Sequence, residues 1–401
     1  MTHLRLPVRS TALRFVSLVL FCCVVLCSRS AAAYPWMIRH GYAGCAVCHA
    51  DPSGGGLLTP YGRAQGDLLL HTHYSSVEKD DESAANFLFG AVPLPDSLLL
   101  GGDVRGLYLY VKPQYGPTVS RTILMQADAE AQVSVGRFRF NGSLGYAHEG
   151  AFPASVTRGV GDRLVSRVLW AGADLDEGQS FLLRVGRMNL PFGIRSIEHT
   201  LWVRSSTLTD SNDSQQHGAA LAYNGEAWRG ELMLIAGNFQ EHPDAIRRRG
   251  YAGFLEYAAA PRLGVGLSSL ITHTSTDLVL GTPLYSQAHG LFLRYSPIPL
   301  LAFLAESDLL LQSQPSQNAF GIASMAQGDL EIIQGLHLMG TAESLDRKLS
   351  ALPPSYGLWG TLAWFCLPQV DVRFDTIWQS LGSATSRVNG NVLLAQLHAY
   401  L

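Results

Sequence analysis

Period-two alternation of apolar and polar residues dominates the chain from about residue 98 to its end. Between Thr122 and Ser134, Ile123, Met125, Ala127, Ala129, Ala131 and Val133 fall on one face, and Gln126, Asp128, Glu130 and Gln132 on the other. Successive strand side chains point to opposite sides, so this spacing predicts a strand with one apolar and one wet face. Arg137 to Ala147 repeats it: Phe138, Phe140, Leu144 and Tyr146 alternate with Arg137, Arg139, Asn141 and Ser143. Val370 to Trp378 does so again, with Val370, Val372, Phe374 and Trp378 against Asp371, Arg373 and Asp375. Strands of a soluble β-sandwich also alternate. Those here are longer, near the roughly 9–11 residues a tilted strand needs to cross a bilayer. Charges also recur on their polar faces from one strand to the next.

About 16 such segments fit the stretch, separated by breaks that alternate in length. Short breaks fall near Gly136, 174–179, 224–227, Pro261, 297–299, Gly328 and Pro368. Long ones fall near 112–121, 149–162, 190–215, 239–249, 274–285, 312–318, 345–355 and 380–389. Short periplasmic turns and long outer loops are the habit of transmembrane β-barrels. The pattern predicts an all-β fold, an antiparallel barrel with both ends on the short-turn side. Asn391–Leu401 would be the closing strand, with Leu393, Ala395, Leu397, Ala399 and Leu401 toward lipid and Gln396 and His398 inward. Such barrels usually end on an aromatic residue; here Tyr400 is penultimate. The most apolar window, 290–311, is broken by Arg294, Pro297, Pro299, Glu306 and Asp308, which suits two strands and a turn better than a membrane helix.

Composition agrees. The 401 residues are 47% apolar and 15% charged, against about 25% charged in ordinary soluble domains. The front of the chain reads differently. Arg5, Arg9 and Arg14 precede a short apolar run, Phe15 to Cys27, and then Ala31-Ala32-Ala33. This is the layout of a secretory signal peptide over residues 1–33. The apolar run is too short for a membrane anchor, which needs about 20 residues. Leu26 before Cys27 argues against a lipoprotein site. Four of the 29 basic residues lie in this leader and no acid does. The remainder carries 32 acidic residues and a net negative charge, which argues against a nucleic-acid partner.

Removing the leader also removes Cys22, Cys23 and Cys27, which leaves Cys45, Cys48 and a solitary Cys366. Cys366 shares a face with Leu358, Leu362 and Trp364, so it reads as lipid-facing and inert. Cys45-Ala-Val-Cys48-His49 is the attachment signature of a c-type haem. Two intervening residues space the sulfurs for the two vinyl groups, and the adjacent histidine is placed to bind the iron. A bare disulfide gives no reason for His49. A thioredoxin-type pair lacks its βαβ setting. Zinc held by Cys45, Cys48, His71 and His73 has tolerable spacing but leaves the compact motif unexplained. Candidates for the sixth iron ligand are His71 and His73, which are preferred, then His40 and Met37, with His337 and His398 more remote. Glycines 54–56 can bring backbone close to a porphyrin, and Arg63 is a candidate partner for a haem propionate. The expected organisation is a leader at 1–33, a short, mostly helical or irregular haem module at 34–97, and the barrel at 98–401.

With Arg39 upstream, the motif itself and then Leu58-Thr-Pro-Tyr-Gly-Arg63, residues 34–64 resemble the outer-membrane cytochrome–porin fusions. That resemblance implies one haem c, bound by Cys45, Cys48 and His49, at the front of a porin-like barrel in a bacterial outer membrane. It implies an electron carrier exchanging electrons with periplasmic c-type cytochromes and with an extracellular redox partner, Fe(II) being the family's donor. A different class of function is a diffusion porin whose haem is a structural or redox-gating plug. Arg184-Val-Gly-Arg-Met-Asn-Leu-Pro-Phe-Gly193 resembles a strand end common to several porin families.

Overall fold

The computed structural model describes residues 34–42, 44–74, 82–148, 155–156, 163–196, 198, 200–210, 214–278, 280–347, 353–382 and 387–401. The leader expected at 1–33 lies outside them, as does most of the 149–162 loop. Strands pair antiparallel with their sequence neighbours. The sheet closes where β1 (Leu98–Pro113) meets β17 (Arg387–Tyr400). β4 (Leu164–Val165) and β5 (Leu169–Asp174) both pair with β3 (Phe138–Tyr146), so they form one stave in two pieces. The result is the expected closed barrel of 16 staves.

The alternation sorts as the sequence predicts. On β16 (Val370–Gly382), Asp371, Arg373 and Asp375 are buried while Phe374 and Trp378 are exposed. On β15 (Ser355–Leu367), Leu358, Leu362 and Trp364 are exposed and Cys366 lies on their face. Buried charge and exposed leucine invert the soluble pattern. An outward apolar wall is what a lipid environment selects.

One turn is displaced. Gly328 is interior to β13 (Asn318–Ile333), and the turn to β14 (Leu336–Asp346) falls at 334–335 instead. Gly328 pairs with Phe303 of β12 (Leu301–Ser313), whose ring would lie 3.5 Å from a Cβ there. That is an ordinary contact distance: the glycine is a ladder residue paired on both sides and does not turn the chain.

The lumen is occupied from both ends. From the long-loop end, the described residues of the stretch after β6 (Phe181–Met188), 189–196, 198, 200–210 and 214–215, fold inward. The Ile194 amide donates to buried Glu306 of β12 at 2.8 Å, and Arg204 pairs with the same carboxylate. A helix at Trp202–Thr207 starts with its Trp202 amide on Glu343 of β14 at 2.9 Å. From the short-turn end comes the N-terminal segment. A 3-10 helix, Pro35–His40, packs Trp36, Met37 and Ile38 with Met339, Ala363 and Phe365. Arg39, fully buried, reaches Asp329 at 2.5 Å and Glu331 at 3.2 Å, both on β13. The helix α1, Pro60–Leu69, follows. Thr72 then bonds the Phe365 carbonyl at 2.9 Å, and His71 the Gln334 side chain at 3.2 Å, beside the 334–335 turn.

Candidate functional site

Residues 45–49 form one tight turn in which the amides of Cys48 and His49 both donate to the Cys45 carbonyl, at 3.2 and 3.0 Å. The chain then doubles back on itself. Ala50 donates to the Leu57 carbonyl and Thr59 to the Cys48 carbonyl, each at 2.9 Å. At the bend, Gly54, Gly55 and Gly56 have φ of +93°, +88° and +64°. Three consecutive left-handed residues explain the glycine run without appeal to a ligand. Thr59 caps α1 by accepting from the Gly62 amide at 3.0 Å, and Pro60 opens the helix. A Cβ at Gly62 would stand 2.8 Å from that of Cys48, so glycine lets the helix pass directly over the second cysteine.

The Gly56 carbonyl lies 3.3 Å from His49 Nδ1. A carbonyl can only accept, so Nδ1 carries the proton and Nε2 keeps its lone pair, as a metal ligand requires. Burial lowers the His49 pKa and keeps the ring neutral. Burial pushes the Cys48 thiol up to about 12. Burial opposes the charge on Asp51, but Arg184 and Arg195 outweigh it and hold the carboxyl below its usual range.

Cys48 and His49 face a cavity between the N-terminal segment and the barrel wall, with an empty volume of about 1570 Å³, open solvent included. Met37, Gly55 and Gly56 line it from the segment; Gly102, Arg105 and Trp170 line it from the barrel. Cys45 opens on a smaller adjoining cavity that shares Pro35 and Arg195 with the first. Its sulfur accepts from Arg229 Nη1 at 3.2 Å.

The sixth-ligand candidates separate cleanly. Met37 lines the cavity and is 1% exposed. His398 lines it too, but Asp371 and Asp103 occupy its two ring nitrogens, each at 2.9 Å. The rings of His71 and His73 lie 4.3 Å apart, tilted by 53°, with His71 beside Asp67, and neither lines the cavity. His40 ends the 3-10 helix, and His337 packs on Trp36 and bonds Asp329 at 3.0 Å; both are off the cavity wall. Arg63 is also off it: its guanidinium bonds the Leu100 carbonyl and lies over Phe87. Among the described residues no three of His, Cys, Asp and Glu are gathered as a metal cluster, so the zinc set of Cys45, Cys48, His71 and His73 is not assembled.

The remaining donor set suits a c-type haem. A neutral histidine offers Nε2, the glycine bend keeps side chains off one face, and arginines stand in the wall. Cys48 presents its sulfur to the cavity and Cys45 to the adjoining one. Sequence reasoning missed the residues that dock the segment. Arg184 meets Asp51 at 3.3 Å, and Arg195 donates to Ser53 at 2.5 Å. Both lie in or just beyond the 184–193 stretch, whose porin-like character was the available signal. Gly193, at φ +56°, closes that stretch where a side chain would collide with Glu306 and Arg204.

No family model and no curated protein matches the chain. Solved structures do. A loop L8 deletion mutant of OmpT, an outer membrane protein of Vibrio cholerae, superposes with a TM-score of 0.58 at 11% identity. The match covers 76% of this chain and 99% of that one. The barrel has the porin fold. An anion-selective porin from Comamonas acidovorans matches at a TM-score of 0.57 and 11% identity, over 76% of this chain and 99% of its own. The outer membrane channel DcaP of Acinetobacter baumannii matches at 0.52 and 11%, over 75% and 96%. At these identities the likeness is one of fold.

Proposed function

We propose that this protein is an outer-membrane electron carrier that holds one covalent haem c inside a porin-type barrel closed by its own N-terminal segment. The observation that carries this reading is that Cys48 and His49 of the attachment motif face one cavity between that segment and the barrel wall. When bound, the haem supplies a one-electron couple. Cys45 and Cys48 tether it, and His49 offers Nε2 to the iron. Met37 is the sixth-ligand candidate with both a place on the cavity and a free donor atom. The barrel wall shields the site from lipid. In the membrane, the short-turn end faces the periplasm, so the segment stands toward periplasmic c-type cytochromes. The long loops face an outside redox partner, with Fe(II) as the donor.

A diffusion porin with a haem plug is the second reading, and the fold it shares with an anion-selective porin favours it. The two inward-folded segments favour the electron carrier, since both occupy the lumen. Haem staining of a denaturing gel and a visible spectrum of the purified protein test the cofactor. An unstained band ends both readings. Conductance in planar bilayers then separates them: the carrier conducts weakly in either redox state, and a large steady current makes the protein a porin.

A further inference from the structure

The inward-folded stretch rests on Glu306 of β12, which accepts from the Ile194 amide and from Arg204. Two residues further along the same face stands Asp308, fully buried, with its carboxyl against that of Glu306. Neither oxygen of Asp308 has a donor. The row across the sheet runs from Ser268 of β10 (Leu263–Thr274) through Gly290 of β11 (Leu284–Ile298) to Asp308. A Cβ at Gly290 would collide with both Asp308 Oδ1 and Ser268 Oγ, so the two oxygens converge on the space over that glycine. Ser268 is 6% exposed, and its hydroxyl has no partner either.

Charge does not balance at this spot. The groups that act on Asp308 are Glu306 and Arg204, so one guanidinium faces two carboxylates. Arg204 is engaged besides with the Phe192 carbonyl at 3.0 Å and with Thr209 at 2.9 Å. The next arginines, Arg229 and Arg294, share Glu256 nearer the short-turn end and make no ion pair with either acid. On its other side Asp308 pairs in register with Ala323 of β13, which brings no charge. Among the described residues, one buried negative charge therefore lacks a cation. Burying an unpaired carboxylate is costly, and a buried polar group without a partner calls for one.

We propose that Glu306, Asp308 and Ser268 bind one monovalent cation, a proton or an alkali ion, and that this bound charge holds the inward-folded stretch on β12. A single positive charge is what two carboxylates against one guanidinium require. The ligands are all oxygens, as a hard cation prefers, and two carboxyls in contact can share a proton. With the cation in place, Glu306 keeps its lone pairs for Ile194 and Arg204. Without it the two carboxylates repel, and withdrawal of the stretch relieves them by admitting water to both. The site is independent of the haem.

The test is hydrogen exchange of peptides covering 190–205 in the full chain in detergent. Sodium is replaced stepwise by the bulky cation N-methylglucamine at fixed pH. Then pH is raised from about 6 to about 9 at fixed sodium, with each rate corrected for the intrinsic pH dependence of an unprotected amide. Exchange rises about tenfold when the cation is withdrawn, the scale of a buried group losing its partner. A response to sodium at fixed pH identifies the alkali ion, and a response to pH at fixed sodium identifies the proton. Asp308→Asn removes the surplus charge and supplies a donor, so its exchange stays slow under every condition. Ser268→Ala removes a ligand but no charge, and moves the midpoint to higher sodium or lower pH. Heat-modifiable migration on a gel verifies the barrel of each variant; if the Asn variant does not fold, the wild type and Ser268→Ala decide. Wild-type exchange that ignores both sodium and pH overturns the site. So does an Asp308→Asn chain that responds as the wild type does, or a Ser268→Ala midpoint that does not move.

Discussion

Strand β12 is joined to β13 at each of its 13 positions and to β11 (Leu284–Ile298) at all but Ala302, where the register shifts. The 3-10 helix at Pro35–His40 is fixed by one arginine, a few rings and a hydrophobic patch. In the barrel, backbone groups pair along ladders between neighbouring staves, and the load is spread so widely that no side chain dominates. The enclosed segment has little backbone pairing of its own. Its bonds run through side chains to residues far away in sequence. The barrel should therefore tolerate substitutions that the segment does not, and the segment should depend on the barrel for its place.

The largest expected effect is chemical. Cys45→Ala with Cys48→Ala abolishes haem staining completely, while heat-modifiable migration of the barrel on a gel stays as in the wild type. A barrel that no longer folds would break the separation. Next is Arg39→Ala. It strands two buried carboxylates, and loss of one partner of a buried pair costs about 3–5 kcal/mol. That cost falls on the docking of residues 34–74, read as faster proteolysis of the segment with an unchanged barrel melting temperature. A third effect is pH-dependent and belongs to the haem-free chain. Burial lowers the pKa of His40 and of His71 from the ordinary 6.5. The undocked segment therefore binds protons more readily than the docked one. Docking is strongest above that value and weakens as pH falls below it, seen as protease protection lost between about pH 7 and pH 5. The smallest effect is Cys366→Ser, on the outer face, which should stay within about 0.5 kcal/mol in thermal unfolding.

The two regions were also legible to different degrees. Period-two alternation exposed β2 (Val119–Val135), β3 and β16, because one face of each meets lipid and the other the lumen. The even count and the long and short breaks followed. Gly328 misled because a glycine can sit inside a strand ladder as well as at a turn. The inward course of 189–215 was invisible, since periodicity reports which face is wet and not where a loop travels. For the N-terminal segment, the motif pointed to Cys45, Cys48 and His49 through chemistry alone. Its docking could not be read, because Arg39 and Asp329 are brought together only by closure of the whole barrel. The preference for His71 and His73 as ligands rested on distance along the chain. The fold carries both to the short-turn rim, and brings Met37 to the cavity instead.

The seam of the barrel gives the Arg63 contact a further meaning. No loop joins β1 to β17; the first and last strands are held there by ladder hydrogen bonds, with the Leu401 amide adding one more to the Gly102 carbonyl. Arg63, on the enclosed helix, bonds the Leu100 carbonyl two residues from that last stitch. Tyr400 and Leu401 in turn line the cavity. The cargo thus fastens the zip of its own container: a barrel that parted sideways at this joint would have to release the enclosed helix first, and a helix pulled out would leave the joint less firmly shut.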